Sequence, residues 1–202
     1  IRLERLVEER TASLREKTLQ LEQLAAHDKL TGLHNRRHAD EFLRREFEHA
    51  DRQRNTLAVA LADIDHFKDI NDSRSHSVGD RVLERVARIF RERMRGSDLL
   101  SRYGGEEFLF CFVGMNDLEA ARACEDLRLA VEREDWAAIS PGLRVTASFG
   151  LAVRSGEPDV QALLGRADAR LYRAKQLGRN RVVAEPAEES AEAMLTRRHG
   201  GA

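Results

Sequence analysis

The sequence of 202 residues predicts an α+β fold in which a central, mostly antiparallel sheet is flanked by helices and preceded by a long N-terminal helix. Two observations predict this class. Apolar runs of strand length alternate with patterns in which apolar residues recur every three or four positions, as on one face of a helix. A glycine pair divides residues 98–114 into two strand-like runs, which indicates a hairpin and hence antiparallel pairing.

The N-terminal residues 1–26 contain neither Gly nor Pro and predict one long helix. Its apolar stripe has a spacing close to a heptad repeat and consists of Leu3, Val7, Leu14, Leu21 and Leu24. Arg10 and Lys17 interrupt this stripe. We expect a signalling helix that forms a parallel coiled-coil dimer of modest strength, and a single exposed helix is the alternative.

The globular domain is expected to span residues 27–185, because Gly32 and Asn35 break the helical pattern near its start. A second amphipathic helix at about 36–54 precedes the apolar run 57–65, which ends in acidic residues as a buried central strand does. Amphipathic patterns then predict a short helix at about 66–72 and a longer helix at about 78–94.

The second half of the domain begins with the hairpin at 98–114, whose tip is the glycine pair. Periodicity then predicts a helix at about 117–132, a strand at 143–154, a helix at about 160–177 and a short strand at 181–184. From Pro186 onward the residues are small, polar and aperiodic, which predicts a flexible tail over 186–202.

Charge and cysteine content limit the possible partners and sites. Lys and Arg number 34 against 35 Asp and Glu, and this balance argues against wholesale binding to nucleic acid or to an anionic membrane. Cys111 and Cys124 have a spacing unsuited to a metal site or a disulfide framework, so we interpret them as buried thiols. No apolar stretch is long enough to cross a bilayer, and we expect this segment to be cytoplasmic.

Acidic residues at the ends of neighbouring strands form a candidate metal site. Asp63 lies near the end of the first strand, and Glu106 and Glu107 follow the glycine turn. Mg²⁺ binds one or two protein carboxylates together with phosphate oxygens and water, although carboxylates near turns are often only solvated. Gly104 and Gly105 allow the backbone to approach a ligand closely and to adopt a positive φ, but a glycine pair alone indicates only a turn.

Four segments together resemble the signature set of a known family. They are HDKLTGLHNRR (27–37), DIDHFKDIND (63–72), RYGGEEF (102–108) and LYRAKQLGRN (171–180). In this order and spacing they resemble GGDEF-domain diguanylate cyclases over about residues 27–184. The resemblance implies a nucleotidyl-cyclase-like palm domain and a GTP-dependent nucleotidyltransferase. Such an enzyme condenses two GTP into cyclic di-GMP and releases two pyrophosphates.

The resemblance also implies roles for the acidic residues. Mg²⁺, or alternatively Mn²⁺, would be held by the carboxylates of Asp63 and Glu106 and by the carbonyl of Ile64. Glu107 is implied to be catalytic, and deprotonation of the attacking hydroxyl, contact with a second metal and support of the turn remain open for it. Lys175 is a further catalytic candidate because its charge would face the phosphates.

The implied nucleotide site extends over several segments. The guanine would lie between Asn71 and Asp80, whose amide and carboxylate suit its polar edge, and Gly104 and Gly105 would let it approach the backbone. The groups implied to bind the triphosphate are the backbone amides of His66, Phe67 and Lys68 and the side chains of Lys175 and Arg179. The spacing of these two basic residues predicts one helical face, and ordinary solvated charges are the alternative.

Each domain would hold one GTP, so the resemblance implies a homodimer with two domains antiparallel about a twofold axis. The chain starts at Ile1 inside a helical pattern, and we therefore expect an upstream sensory part. Such a part could change the crossing of the two N-terminal helices and so regulate the dimer. It could also anchor the full-length protein to a membrane.

Arg95 and Asp98 match the RxxD motif of the family and imply a second site at which the product, cyclic di-GMP, inhibits the enzyme. A surface ion pair is the alternative. The position of a further family arginine holds Asp126, and Arg122 and Arg128 are the candidates to replace it.

Two residues depart from the family pattern beside the guanine. Arg74 and Ser75 stand where an aromatic residue and a glycine are common, so we expect this loop to be stiffer or differently shaped. Activity should survive because Asn71, Gly79 and Asp80 are in place. Three other functions compete with the cyclase: a catalytically inactive module that binds GTP or cyclic di-GMP, a cyclase with relaxed base choice, and a purely structural dimerisation protein.

Overall fold

The computed structural model describes residues 26–53 and 55–184, together with the isolated residue Arg10. Its helices are α1 (Arg36–Gln53), α2 (Phe67–Arg74), α3 (His76–Arg91), α4 (Asp117–Glu132) and α5 (Val160–Gln176). Its strands are β1 (His34–Asn35), β2 (Leu57–Ile64), β3 (Leu99–Arg102), β4 (Glu107–Val113), β5 (Ala147–Val153) and β6 (Val182–Val183). The predicted N-terminal helix, apart from Arg10 and Ala26, and the predicted tail lie outside the described residues.

The strands of the described residues form one mixed sheet in the order β1-β3-β4-β2-β5-β6. The four inner strands pair antiparallel, whereas each edge strand pairs parallel with its neighbour. The predicted hairpin is confirmed, with Leu99 opposite Cys111 and Arg102 opposite Phe108. The sequence does not predict β1, because its two residues, His34 and Asn35, are polar and give no apolar run.

Helices cover both faces of the sheet. One face packs against α3 and α4, where Phe90 lies edge-on to Phe108 and Phe110 at ring-centroid distances of 5.3 and 5.1 Å. The opposite face packs against α1 and α5. Side chains of a strand alternate between the two faces, so a strand that is covered on both sides contains apolar residues at nearly every position. This explains the continuous apolar run of β2, all of whose residues are buried.

Helix α5 approaches β5 closely at Gly150. A Cβ atom on Gly150 would lie 2.1 Å from the carbonyl oxygen of Ala167 and 2.2 Å from the amide nitrogen of Leu171. Both are backbone atoms of α5, so no side-chain rotation could make room for it. Direct backbone contact therefore sets the distance between α5 and the sheet.

Two stretches differ from the sequence prediction. The strand predicted over 143–154 is confined to Ala147–Val153, although Leu143 and Val145 are also buried. Their burial outside the strand produces the apolar pattern that predicts a longer one. The sequence also does not predict the single 3-10 turn Trp136–Ala138, in which the Trp136 ring nitrogen donates to the Val131 carbonyl at 2.9 Å.

Cys111 and Cys124 are both buried and free, as predicted. Burial raises the pKa of each thiol far above its usual range, so both stay protonated at neutral pH. In the described part of the chain, no helix combines the length and the apolar composition needed to cross a membrane.

Candidate active site

The carboxylates predicted to form a metal site lie together at one end of the sheet. Asp63 of β2 pairs across the ladder with Glu107 of β4 and, on its other side, with Ser148 of β5. The amide of Ile64 donates to the carbonyl oxygen of Glu106 at 3.3 Å. Strand pairing therefore brings together three segments of the chain that lie more than 40 positions apart in the sequence.

The Asp63 carboxylate is buried and forms an ion pair with Lys175 of α5, with 2.8 Å between Oδ2 and Nζ. Burial raises the pKa of Asp63 above its ordinary value. The Lys175 ammonium opposes this rise, and the negative charges of Glu106 and Glu107 add to it. Of these three carboxylates, Asp63 pairs with the ammonium, and a further cation would reduce their mutual repulsion.

This donor set fits a hard divalent cation. Asp63 and Glu106 offer carboxylates and Ile64 offers a carbonyl, while Mg²⁺ usually takes its remaining ligands from phosphate and water. Within residues 26–53 and 55–184, no group of three or more His, Cys, Asp or Glu side chains could hold a metal ion alone. Two carboxylates and one carbonyl leave ligand positions that the oxygens of a phosphate chain can fill.

The two glycines of the turn between β3 and β4 leave room for different groups. A Cβ atom on Gly104 would lie 2.4 Å from Oε2 of Glu107, so its absence makes space for that carboxylate. A Cβ atom on Gly105 would meet no described atom within 4 Å, so there is open space beside this backbone. Neither glycine has a positive φ. The expectation of positive φ was wrong, and what the turn requires is space.

Arg102, to which the sequence assigns no role, holds this turn in place. Its guanidinium donates to the carbonyl oxygen of Gly105, from Nε at 3.0 Å and from Nη2 at 2.7 Å. Its Nη1 forms an ion pair with Asp28 at 3.1 Å. Asp28 lies in the segment that follows the predicted N-terminal helix, so one side chain connects this junction to the glycine turn.

A cleft of about 470 Å³ opens beside the carboxylates. Its walls include residues that the sequence assigns to nucleotide or metal binding, namely Phe67, Lys68, Asn71, Asp80, Gly105 and Glu106. The amide of Asn71 and the carboxylate of Asp80 therefore share one cleft with a carboxylate of the metal site.

Gly79 determines where the Asn71 side chain can lie. A Cβ atom on Gly79 would be 2.0 Å from Oδ1 of Asn71 and 3.2 Å from Cζ of Phe67. The Asn71 amide thus occupies the space that a side chain at position 79 would need. Gly79 belongs to the site even though it offers no functional group of its own.

The first turn of α2 presents the amides predicted to bind the triphosphate. His66, at the capping position, has a left-handed φ of 56°, and its side chain does not cap the backbone amides of this turn. Its Nδ1 instead lies 3.1 Å from Oδ2 of Asp69. Amides at a helix N-terminus that lack a capping side chain bind anions well. The start of α2 can therefore accept a phosphate group.

Lys175 and Arg179 do not lie on one helical face, and that prediction was wrong. Lys175 lies in the last turn of α5, which ends at Gln176, whereas Arg179 lies beyond the helix with a φ of 63°. The Arg179 amide donates to the Ala174 carbonyl at 3.0 Å. The spacing of four residues is misleading because the chain has left the helix before Gly178, which itself has a φ of 108°.

A second and larger cleft, of about 760 Å³, lies between α4 and the turn that precedes β3. Arg95 and Asp98 line it, and so does Arg122 of α4. Arg128, the other candidate for the further arginine, is buried and forms an ion pair with Glu125 at 2.6 Å. Of these two candidates, only Arg122 lies with Arg95 and Asp98.

The loop beside the predicted guanine site is strained at one residue and anchored at the next. Ser75 joins α2 to α3 with φ 132° and ψ 159°, a conformation almost confined to glycine. Arg74 donates to Ser140 Oγ at 2.5 Å and to the Pro141 carbonyl at 2.7 Å. The strained backbone of Ser75 and the hydrogen bonds of Arg74 agree with the expectation that these two residues alter the loop.

Replacing Ser75 by Gly should raise the free energy of unfolding by about 1 kcal/mol, because strain of about 1–3 kcal/mol exceeds the entropic cost of glycine, about 0.5–1 kcal/mol. Urea denaturation would measure the change. Ser73→Gly, inside α2, is a matched control and should lower the stability. If both variants lost stability equally, Ser75 would not be strained.

Comparisons with known proteins agree with this architecture. The family model described as "Diguanylate cyclase, GGDEF domain" matches residues 25–181. Diguanylate cyclase DosC of Escherichia coli (strain K12) is 40% identical over 156 residues, which cover 77% of this chain and 34% of DosC. The chain therefore spans about a third of the length of this relative.

Two solved structures from Caulobacter crescentus share the fold. The GGDEF domain of DgcB in complex with c-di-GMP aligns with a TM-score of 0.75 at 35% identity and covers 79% of this chain and 95% of that chain. The coiled coil and GGDEF domain of DgcB, also in complex with c-di-GMP, align with a TM-score of 0.74 at 33% identity. This second alignment covers 91% of this chain and 99% of that chain.

Proposed function

The chain belongs to the GGDEF domain family, and from this premise we propose that it is a diguanylate cyclase that condenses two GTP into cyclic di-GMP. The observation that carries the proposal is the cluster of Asp63, Glu106 and Lys175 beside the cleft that Asn71 and Asp80 line. A site for a metal-bound triphosphate thus adjoins a site for a purine with polar edges.

In the first condensation step, the 3′-hydroxyl oxygen of one GTP attacks the α-phosphorus of the other; in the second, the remaining 3′-hydroxyl of the linear product attacks its remaining triphosphate at the α-phosphorus and closes the ring. The new P–O bond forms as the bond to pyrophosphate breaks, and the hydroxyl proton is released. Lys175 places positive charge beside the phosphates, and the amides at the start of α2 bind their oxygens. A bound Mg²⁺ or Mn²⁺, held by Asp63, Glu106 and the Ile64 carbonyl, would neutralise charge that develops on the phosphates.

We assign Glu107 the role of supporting the glycine turn between β3 and β4. Its carboxylate lies where a side chain on Gly104 would be, so it packs along the hairpin backbone. Of the three roles open to Glu107, this contact favours support of the turn, and through it of Glu106.

Selection of guanine would depend on Asn71 and Asp80. The guanine edge combines an acceptor oxygen with amino and imino donors, and adenine carries a different pattern. A site whose polar groups lose their partners discriminates strongly against the wrong base. We therefore expect GTP to be used and ATP to be rejected.

We further propose that the protein acts as a homodimer, since one cleft per domain holds one nucleotide. The DgcB structure with a coiled coil next to its GGDEF domain supports a dimerising helix in residues 1–26. An upstream sensory part would act through that helix. The contact of Arg102 with both Asp28 and Gly105 offers a route from the helix to the active site.

The cleft around Arg95, Asp98 and Arg122 is proposed to bind cyclic di-GMP as an inhibitor. Arginine suits both a phosphate and the acceptor edge of guanine, and aspartate suits the guanine donors. The complexes of DgcB with c-di-GMP support product binding in this family.

Replacing Arg95 by Ala should raise the half-inhibitory concentration of cyclic di-GMP at least about tenfold, because a charge-assisted hydrogen bond contributes roughly 1.5–3 kcal/mol. Initial rates at fixed GTP with increasing product would measure the shift. Arg88→Ala, which removes an exposed arginine of α3, is the control. Equal inhibition of the wild type, Arg95→Ala and Arg88→Ala would exclude Arg95 from the inhibitory site.

The proposed function is tested by incubating the purified protein with GTP and Mg²⁺, with ATP in parallel, and separating the nucleotides by chromatography. Cyclic di-GMP from GTP alone, formed at a rate per chain that rises with protein concentration, is the expected result. Binding of GTP or cyclic di-GMP without any product at high protein concentration would replace the cyclase with a nucleotide-binding module.

A further inference from the structure

Asp65 is a buried carboxylate that accepts hydrogen bonds from two hydroxyls and one backbone amide. Its side chain is only 4% exposed. The hydroxyls of Ser148 and Thr146 donate to Oδ1 at 2.6 Å and to Oδ2 at 2.7 Å. The backbone amide of Asn180 also donates to Oδ2, at 3.0 Å. Asp65 therefore joins the end of β2 to a turn that lies 115 residues further along the chain.

That turn has an unfavourable backbone conformation. Gly178, Arg179 and Asn180 have successive φ angles of 108°, 63° and 46°. A left-handed conformation suits glycine, is tolerated by asparagine and is unfavourable for arginine. Such a turn persists only where surrounding contacts hold it.

The side chain of Asn180 supplies a second anchor for the turn. Its Nδ2 donates to Glu132 Oε1 at 2.6 Å, and its Oδ1 accepts from Arg128 Nη1 at 2.6 Å. Arg128 also forms an ion pair with Glu132 at 2.9 Å, which fixes the orientation of both groups. The turn is thus held by Asp65 through its backbone and by α4 through its side chain.

We propose that Asp65 is a positioning residue, which holds the turn 178–180 so that the Arg179 side chain faces the triphosphate of the bound nucleotide. This inference rests on the proposed function, in which the nucleotide is GTP, and on the role at the triphosphate that the family resemblance implies for Arg179. Asp65 itself touches no substrate. It acts by stabilising the left-handed backbone conformation of Arg179, the residue that precedes Asn180.

The Asp65→Ala variant should weaken binding of GTP roughly tenfold and leave kcat much less changed, since it loosens a ground-state contact to the phosphates. Asp65→Asn should restore most of the affinity. Its amide oxygen can accept from Asn180 and Thr146, while its NH₂ group donates to the Ser148 hydroxyl. Binding is measured by titration calorimetry with Mg²⁺ and the GTP analogue whose α,β-bridging oxygen is a methylene group.

A double-mutant cycle separates positioning from a general loss of stability. If Asp65 acts through Arg179, the variant with both Asp65→Ala and Arg179→Ala should bind the analogue no more weakly than Arg179→Ala alone. Ser148→Ala is the stability control. It removes the hydrogen bond to Oδ1 and leaves the contact between Oδ2 and Asn180, so its affinity should stay at the wild-type value.

A second variant keeps the inference testable if Asp65→Ala does not fold. Asn180→Gly tolerates the same backbone angles and removes the contacts to Arg128 and Glu132, and it should also weaken binding. The positioning role of Asp65 would be overturned if Asp65→Ala and Arg179→Ala caused additive losses of binding free energy. It would also be overturned if Asp65→Ala and Ser148→Ala bound the analogue with equal affinity. Wild-type protein that binds the analogue but forms no cyclic di-GMP from GTP would instead overturn the proposed function.

Discussion

Replacing Glu106 by Gln should lower the rate of cyclic di-GMP formation by roughly 10³-fold or more, while the protein stays folded. The change keeps the size of the side chain and removes one of two carboxylates proposed to hold the metal. Loss of such a ligand costs several kcal/mol of charge stabilisation, and each 1.4 kcal/mol or so corresponds to about tenfold in rate. Removing a charge near Asp63 should not harm the fold, because Glu106 already repels that carboxylate.

The experiment compares rates at saturating GTP over a range of Mg²⁺ concentrations, with circular dichroism as the test of folding. Glu48→Gln, which changes an exposed carboxylate of α1, is the matched control and should keep the wild-type rate. A Glu106→Gln protein with the wild-type rate and the wild-type Mg²⁺ dependence would show that Glu106 holds no catalytic metal.

Replacing Gly79 by Ala should lower kcat/KM for GTP by roughly 10- to 100-fold, because a pair of good hydrogen bonds to a base edge contributes about 1–3 kcal/mol. The new Cβ atom would lie 2.0 Å from the Asn71 amide oxygen, so this amide must leave its position. Discrimination against ATP should weaken in parallel. Steady-state kinetics with each nucleotide would measure both effects.

Two further variants define the cause. Asn71→Ala should reproduce the loss, and combining it with Gly79→Ala should add little if the glycine acts through Asn71. Gly165→Ala in α5 is the control, since its Cβ atom would meet no described atom within 4 Å, and it should stabilise the helix by about 1 kcal/mol. Unchanged kinetics in Gly79→Ala would mean that Asn71 does not select the base.

Much of the fold could be predicted because its elements carry local signals. The bounds predicted for α4, 117–132, agree with the structure, where a capping box of Asn116 and Glu119 fixes the start of the helix. The central strands could be predicted because both faces are buried and the apolar runs are continuous. The strand at 143–154 was predicted too long, because Leu143 and Val145 are buried without belonging to a ladder.

The candidate site, like the fold, could be predicted only in part from the sequence. Its motif residues could be named from short segments, and the structure brings Asp63, Glu106 and Lys175 together. Asp65 and Arg102 lie within the same motifs, yet their function depends on partners 115 and 74 residues away. The sequence does not indicate that Asp63 pairs with Lys175 whereas Asp65 accepts hydrogen bonds from Thr146, Ser148 and Asn180. Contacts of this kind appear only when the chain is folded.

The backbone contact at Gly150 has a consequence for how this protein can change over evolutionary time. Helix α5 carries Lys175, and its depth on the sheet is set by main-chain atoms of Ala167 and Leu171. Substitutions among the apolar side chains around α5 alter packing but leave this separation nearly constant. The distance between the Lys175 ammonium and the Asp63 carboxylate should therefore change little when core residues are substituted, provided that position 150 remains glycine.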